Sequence, residues 1–354
     1  MNDAPLPASV AAAADPNRDR VANPVLVEVT RGTVVESRHR GSIAVVDATG
    51  RVVHGVGDVA QAVYPRSAIK PLQALLLVES GAADRFGLGD RELALACASH
   101  RGETVHTEAV AKWLDRVGLS PADLECGAHL PYDPRTMEAL LRADGQATTL
   151  HNNCSGKHSG FVTAALHLGL PIPGYIRAEH PLQQKLFRII EEMGGESLAG
   201  TGRGADGCGI PVFGVPLRAL ARAFARLDDT AGLAPERASA AGRILKAMAA
   251  EPVMVSGHGN FVTRVMEVAG QSVRLKSGAE GVYCAVLVGR GLGVAIKIDD
   301  GAGRAAEVAM AAALRRLGAF TPGQEQELAD FLEVPIRNVA GRHVGVVRPA
   351  PGPF

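Results

Sequence analysis

Val273-Arg274-Leu275-Lys276, Val282-Tyr283-Cys284-Ala285-Val286-Leu287-Val288 and Gly293-Val294-Ala295-Ile296-Lys297-Ile298 are three runs rich in β-branched residues, separated by short glycine-bearing links. Such runs read as strands, and the links between them are of hairpin length. They bring the chain back to strand after a long helical middle. At the other end, Val25-Leu26-Val27-Glu28-Val29 and Ser42-Ile43-Ala44-Val45-Val46-Asp47 also read as strands, and residues 51–56 follow a hairpin turn at Thr49-Gly50. A further strand is expected over 344–347. Strands first, helices in the middle and strands last is not the alternation of a doubly wound fold. It predicts an α+β fold in which N- and C-terminal strands pair in one antiparallel sheet packed against helices.

The middle is read from its apolar periodicity and its glycine stops. Helices are expected from Ser67 to near Gly81 and over 92–98, 104–117, 158–168, 181–193, 216–227, 235–250 and 260–268, with two more at 304–317 and 323–331. No internal repeat or long linker forces a cut, so residues 24–354 are read as one domain with a helical insertion between its terminal strands. Residues 1–23 are rich in Ala, Pro and Asp and lack a basic start followed by an apolar stretch. They are expected to form a disordered tail and not a signal peptide.

Composition narrows the function classes. In 354 residues, Lys+Arg and Asp+Glu both number 37, so no basic field points to nucleic acid. Aromatic residues make up 4%, too few for a stacking surface. The longest apolar runs, such as Leu75-Leu76-Leu77-Val78, are too short to span a bilayer. Five cysteines, widely spread and without a C-x-x-C pair, argue against a disulfide framework and for a reducing cytoplasm. The soluble-enzyme class fits these bounds.

Ser67-Ala68-Ile69-Lys70 supplies a candidate reaction centre. A serine and a lysine three apart share a helical face, so the amine can lie beside the hydroxyl. A serine hydroxyl needs a base to become a nucleophile, and a lysine serves only if burial or a nearby cation lowers its pKa from about 10.4. Lys276, in Lys276-Ser277-Gly278, is a candidate for that second cation. Ser67 also reads as a helix N-cap, with Pro65 before it and an apolar run behind it. Ser99-His100 falls in an interruption between helices, where side chains reach a site or where Ser99 simply caps the next helix.

Two further segments are dense in reactive residues. His151-Asn152-Asn153-Cys154-Ser155-Gly156-Lys157-His158-Ser159-Gly160 leads into an apolar helix, and Cys154 and Lys157 lie three apart. Gly204-Ala205-Asp206-Gly207-Cys208-Gly209 places Asp206 and Cys208 on one side of an extended chain, with glycines that allow a ligand close to the backbone. Thiolates from Cys154 and Cys208 would suit a soft or borderline metal such as zinc, although the usual zinc spacing is absent. Capped turns with unrelated buried cysteines read the same segments without any ligand. Cys97, Cys126 and Cys284 read as packing residues, and His54, His180, His258 and His343 as ordinary histidines.

Taken together, residues 64–71, 151–161, 204–209 and 275–281 resemble the class 3, rhizobial-type L-asparaginase family. The resemblance runs from about Val25 to the C-terminus. It implies a fold like the serine β-lactamases, penicillin-binding proteins and serine glutaminases, and hydrolysis of L-asparagine to L-aspartate and ammonia by a homodimer. By the same resemblance, Ser67 and Lys70 are the nucleophile and its base, and Ser99 with Lys276 forms a second Ser–Lys tandem. Cys154, Lys157 and Cys208 match the zinc ligands, with water completing the site. Asp206 matches the residue that grips the substrate α-amino group, and Arg66 is the candidate for its carboxylate by bidentate pairing.

The mechanism expected on this reading is covalent. Ser67 attacks the side-chain amide and passes its proton to Lys70, while Lys276 depresses that amine and organises Ser99 as a relay. The resemblance leaves open which serine attacks first. Zinc would position substrate or shape the pocket and would not generate a hydroxide. Competing readings are a glutaminase or another S-x-x-K amidase or esterase, a non-catalytic amino-acid- or zinc-binding protein, and a Cys154 nucleophile. The last is opposed by Cys208 as a thiolate partner.

Overall fold

A computed structural model describes residues 22–354. The strands are β1 (Val25–Arg31), β2 (Val34–Asp47), β3 (Val52–Val56), β4 (Ala62–Val63), β5 (Arg203–Ala205), β6 (Pro211–Phe213), β7 (Val215–Pro216), β8 (Val273–Ser277), β9 (Val282–Leu287), β10 (Leu292–Ile298), β11 (Val334–Arg337) and β12 (His343–Pro349). Eight of them form one antiparallel sheet in the order β11-β12-β1-β2-β10-β9-β8, with β3 paired to β2. N- and C-terminal strands therefore interleave as expected for α+β.

The pairing of β2 explains its length. Its first half runs beside β1, and from Gly41 onward it pairs with β10 and β3. At that switch a Cβ on Gly41 would lie 2.3 Å from the Lys297 carbonyl, so only glycine lets the strands close. Burial changes at the same point. The first half of β2 alternates towards solvent, whereas residues 41–46 are all buried. Both faces of the sheet are covered there. Gly293 of β10 touches helix Leu217–Asp228 on one side, and Ile43 and Val45 share a cavity with Ala313 of helix Gly303–Arg316 on the other.

Helices fill the middle of the chain close to the expected positions, and Pro235–Ala250 coincides with them in full. The helix expected over 323–331 is broken at Leu328 into Pro322–Glu327 and Ala329–Leu332. Helix Pro134–Arg142, strand β11 and the β5–β6 hairpin have no counterpart among the expected elements, because short segments carry too few periods to register. The two-strand pair β4–β7 matters most for function. It pins the residues just before Ser67 to those just after the β5–β6 hairpin.

The expected disordered tail, 1–23, lies outside the described residues except for its last two. Of these, Asn23 is tied down: its Nδ2 donates to Asp299 at 2.9 Å and its Oδ1 accepts from the Asp58 backbone at 2.8 Å. Among the described residues, no helix is long and apolar enough to cross a membrane.

Candidate active site

Helix Lys70–Glu79 has nine of its ten residues buried, so it is an internal helix and its first side chains face protein on every side. Pro71 is accommodated in its first turn, where a missing N–H costs no hydrogen bond. A 3₁₀ turn, Arg66–Ile69, leads into it, so Ser67 lies within the turn and caps neither helix. Arg66 adopts φ +50°, a left-handed conformation that a non-glycine residue rarely holds. Behind this turn runs β8. A Cβ on Gly278, just past its end, would lie 2.6 Å from the Pro65 carbonyl and 3.0 Å from the Ala68 nitrogen.

Lys70 and Lys276 converge on one hydroxyl, and it is that of Ser99. Lys70 Nζ donates to Ser99 Oγ at 3.0 Å and to the Ala98 carbonyl at 2.6 Å. Lys276 Nζ donates to Ser99 Oγ at 2.8 Å and to the Ser277 carbonyl at 2.7 Å. Ser99 is held in register by its own N–H, which bonds the Val255 carbonyl at 2.9 Å. Three of the four residues of the two expected tandems thus meet at the Ser99 hydroxyl, with Lys70 directed to Ser99 and not to its sequence neighbour Ser67.

Both lysines are about 1% exposed. Burial, and for Lys276 the neighbouring Lys70, pulls the Lys276 amine well below the ordinary lysine range. Burial also lowers Lys70, against the opposing pull of Cys154. A neutral amine that donates to a carbonyl keeps a lone pair, and that lone pair is what a serine proton needs.

The thiol cluster lies on the other side of Lys70. Cys154 is the N-cap residue of helix Ser155–His167, and Lys157 stands one turn in, with 2% exposure. Cys208 comes from the tip of the β5–β6 hairpin, which closes through Asp206 N to Ile210 O at 2.8 Å and a left-handed Gly209. Lys157 Nζ donates to Cys208 Sγ at 3.0 Å. A hydrogen bond from Cys208 holds the Cys154 thiol well below its usual range, and that shared bond with burial pushes Cys208 up. Lys157 is raised: burial opposes its charge, but the Cys154 thiolate and Cys208 outweigh it.

Asp206 and Arg66 meet each other. Arg66 Nε and Nη2 both reach Asp206 Oδ1, at 3.0 and 2.9 Å, and the Gly207 N–H donates to the same oxygen at 2.7 Å. Four contacts made across 29 to 177 residues of chain therefore join seven of the nine residues singled out from sequence, and Ser67 and Cys154 lie on the same segments, beside Arg66 and before Lys157.

A supporting layer is not legible from the motifs. Gly102 N–H donates to His100 Nδ1 at 3.1 Å, so the Nε2–H must donate to Ser155 Oγ, 2.8 Å away. His100 is fully buried and stacks on His106, tying the Ser99 segment to the helix start that carries Cys154. Asn152 Oδ1 accepts from Cys154 N at 2.8 Å, and His129 Nε2 accepts from Asn153 N at 2.9 Å. The polar density of residues 151–160 and the Ser99-His100 interruption are the sequence signals for this layer.

Among the described residues, no group of three or more His, Cys, Asp and Glu gathers to hold a metal. The convergent donor set is Cys154, Cys208 and Lys157, two sulfurs and an amine. That set suits a soft or borderline cation once Lys157 has lost its proton. A search of curated proteins found no match. A family model described as L-asparaginase II matches residues 27–349, which takes in every residue of this site. The chain belongs to the L-asparaginase II family and is an L-asparaginase-type hydrolase whose substrate is an amino acid.

Proposed function

We propose that this protein hydrolyses L-asparagine to L-aspartate and ammonia through a serine acyl-enzyme. The observation that carries this reading is the Ser99 hydroxyl held between the Lys70 and Lys276 amines at 3.0 and 2.8 Å. One depressed amine takes a proton while the other, or the hydroxyl between them, passes it on. Ser67, at the half-buried rim of the same turn, attacks the amide carbon. Its proton moves to Lys70, and Ser99 with Lys276 relays it to the leaving ammonia. Water then cleaves the aspartyl ester. Backbone N–H groups, that of Ser67 among them, would hold the oxyanion.

Cys154, Lys157 and Cys208 would hold zinc. The ion would position the substrate or keep the pocket in shape, and the chain's own task is to keep two thiolates and a neutral amine aimed at one point. Arg66 and Asp206 bind the substrate carboxylate and α-ammonium. We further propose that residues 24–354 act as one domain with a fold like the serine β-lactamases, working as a cytoplasmic homodimer.

Trapping of the acyl-enzyme separates the serines. Ser67→Ala should abolish the aspartyl adduct seen by mass spectrometry. Ser99→Ala should slow ammonia release while the adduct still forms. A second reading, with Ser99 as the attacking serine, is favoured by its two lysine contacts, and normal turnover by Ser67→Ala would establish it. Equal or faster ammonia release from glutamine than from asparagine would assign the protein to a glutaminase activity instead.

A further inference from the structure

We infer that Glu103 is a positioning residue for this reaction: its carboxylate clamps the turn after helix Pro252–Ser256, and that helix fixes where the Ser99 hydroxyl stands between the two lysines. The role rests on the proposed part of Ser99 in proton transfer. It adds the residue that keeps Ser99 in place.

The Ser99 backbone has left its own helix. Cys97 and Ala98 still bond back to Ala94 and Leu95, but the Ser99 N–H turns to the Val255 carbonyl, 2.9 Å away on a distant segment. Val255 belongs to Pro252–Ser256, a helix of five residues that is too short to hold its own shape. Behind it, Gly257 at φ +87° and Gly259 at φ +70° leave the chain free to turn. The carbonyl on which Ser99 depends is therefore only as fixed as the ties on this turn.

Glu103 supplies the tie from the Ser99 side. Its Oε1 accepts the His258 N–H at 3.0 Å, and its Oε2 meets His258 Nδ1. Residues 99–103 and 255–258 are thus joined at both ends, Ser99 to Val255 and Glu103 to His258. Gly257 lets them close, since an added Cβ would lie 2.9 Å from the Arg101 side chain. Glu103 is also the N-cap residue of helix Thr104–Arg116, yet its side chain makes no cap bond there. The carboxylate goes to the turn instead. The Glu103 side chain is 13% exposed and the His258 side chain 68%. Water screens a pair with so open a ring, so the charge-assisted bond to the backbone N–H carries the clamp.

Glu103→Asp separates positioning from stability. Aspartate is a good N-cap, but it is one methylene shorter and falls short of the His258 N–H. The variant should keep the wild-type urea midpoint while kcat for asparagine falls about 30-fold and KM stays within about twofold. Glu103→Gln keeps an oxygen for the His258 N–H, and His258→Ala keeps that N–H, so both should hold kcat within about threefold of wild type. A double-mutant cycle with Ser99→Ala reads whether Glu103 acts through Ser99. Adding Glu103→Asp to Ser99→Ala should lower kcat by no more than about twofold further, because the hydroxyl it positions is already gone.

Losses that multiply in the double variant would overturn the inference. So would a Glu103→Asp variant that loses kcat and urea midpoint together or turns over asparagine at the wild-type rate. A loss in Glu103→Gln as deep as that in Glu103→Asp would also refute the clamp. If Ser99→Ala itself turns over normally, the proton-transfer reading of Ser99 fails and the role of Glu103 falls with it, a result distinct from multiplied losses.

Discussion

Lys276 is buried, uncharged by its surroundings and yet required to sit among polar groups, and this has consequences for stability as well as for chemistry. Its folded pKa lies well below the ordinary value of about 10.4, with burial the first cause and Lys70 the second. Between the two pKa values the unfolded chain binds the extra proton, so this residue makes stability rise with pH. Lys276→Met should therefore unfold at higher urea than wild type near pH 7, by about 1–3 kcal/mol, with the gain shrinking towards pH 10. The same variant should release almost no ammonia from asparagine. A variant less stable than wild type at pH 7 would refute the burial argument. In the wild type, activity should rise with pH along an acid limb set below the usual lysine range, because the working amine must lose its proton first. At this scale the sequence identifies which residues carry chemistry, through Ser67-Ala68-Ile69-Lys70 and Lys276-Ser277-Gly278. It does not identify their partners. Spacing points Lys70 at Ser67, whereas a 3₁₀ turn and a buried neighbouring segment bring the amine to Ser99.

Among the elements, glycines decide how close two of them come, and two such contacts lead to opposite expectations. Gly278 lets the end of β8 touch the turn that carries Ser67, where an added Cβ would lie 2.6 Å from the Pro65 carbonyl. Gly278→Ala should cost less stability than Gly293→Ala, since its clash is the milder one, but lower kcat about 100-fold, because small displacements of a reacting group are enough for that. Gly293, in β10, lets helix Leu217–Asp228 rest on the sheet, and a Cβ there would fall 1.9 Å from the Ala221 carbonyl. Gly293→Ala should cost about 3 kcal/mol of stability, measured by urea unfolding. Should Gly278→Ala unfold as readily as Gly293→Ala, the turn would be a structural brace and not a positioning device. The long elements are legible in the sequence because they repeat their pattern over several turns or strand pairs. The β4–β7 and β5–β6 pairs are not, since two or three residues carry no period, although they are what sets Asp206 and Cys208 beside Arg66 and Lys157.

Over the whole molecule, the sheet joins the two ends of the chain. β12 lies between β11 and β1, with Val29 opposite Val347 and Val334 opposite that same valine on its other side. Ending the chain after Arg342 removes a strand from between two others and leaves β1 as a bare edge under helix Gly303–Arg316. The shortened chain should show no cooperative urea transition, and a melt at the wild-type temperature would contradict this reading of the sheet. Contacts that span almost the full length close only late in folding, because the loop between them must be ordered first. The amino-acid sequence alone determined the α+β class, the order of the long elements, the reactive residues and the family to which they belong. Those are properties of local periodicity and of residue type, which need no partner to be read. Only the tertiary structure decided that both lysines grip Ser99, that Arg66 and Asp206 hold each other, and that Cys154, Lys157 and Cys208 meet at one point. Each of these depends on a pairing between distant segments and on the burial that shifts charge, and neither is encoded in spacing along the chain.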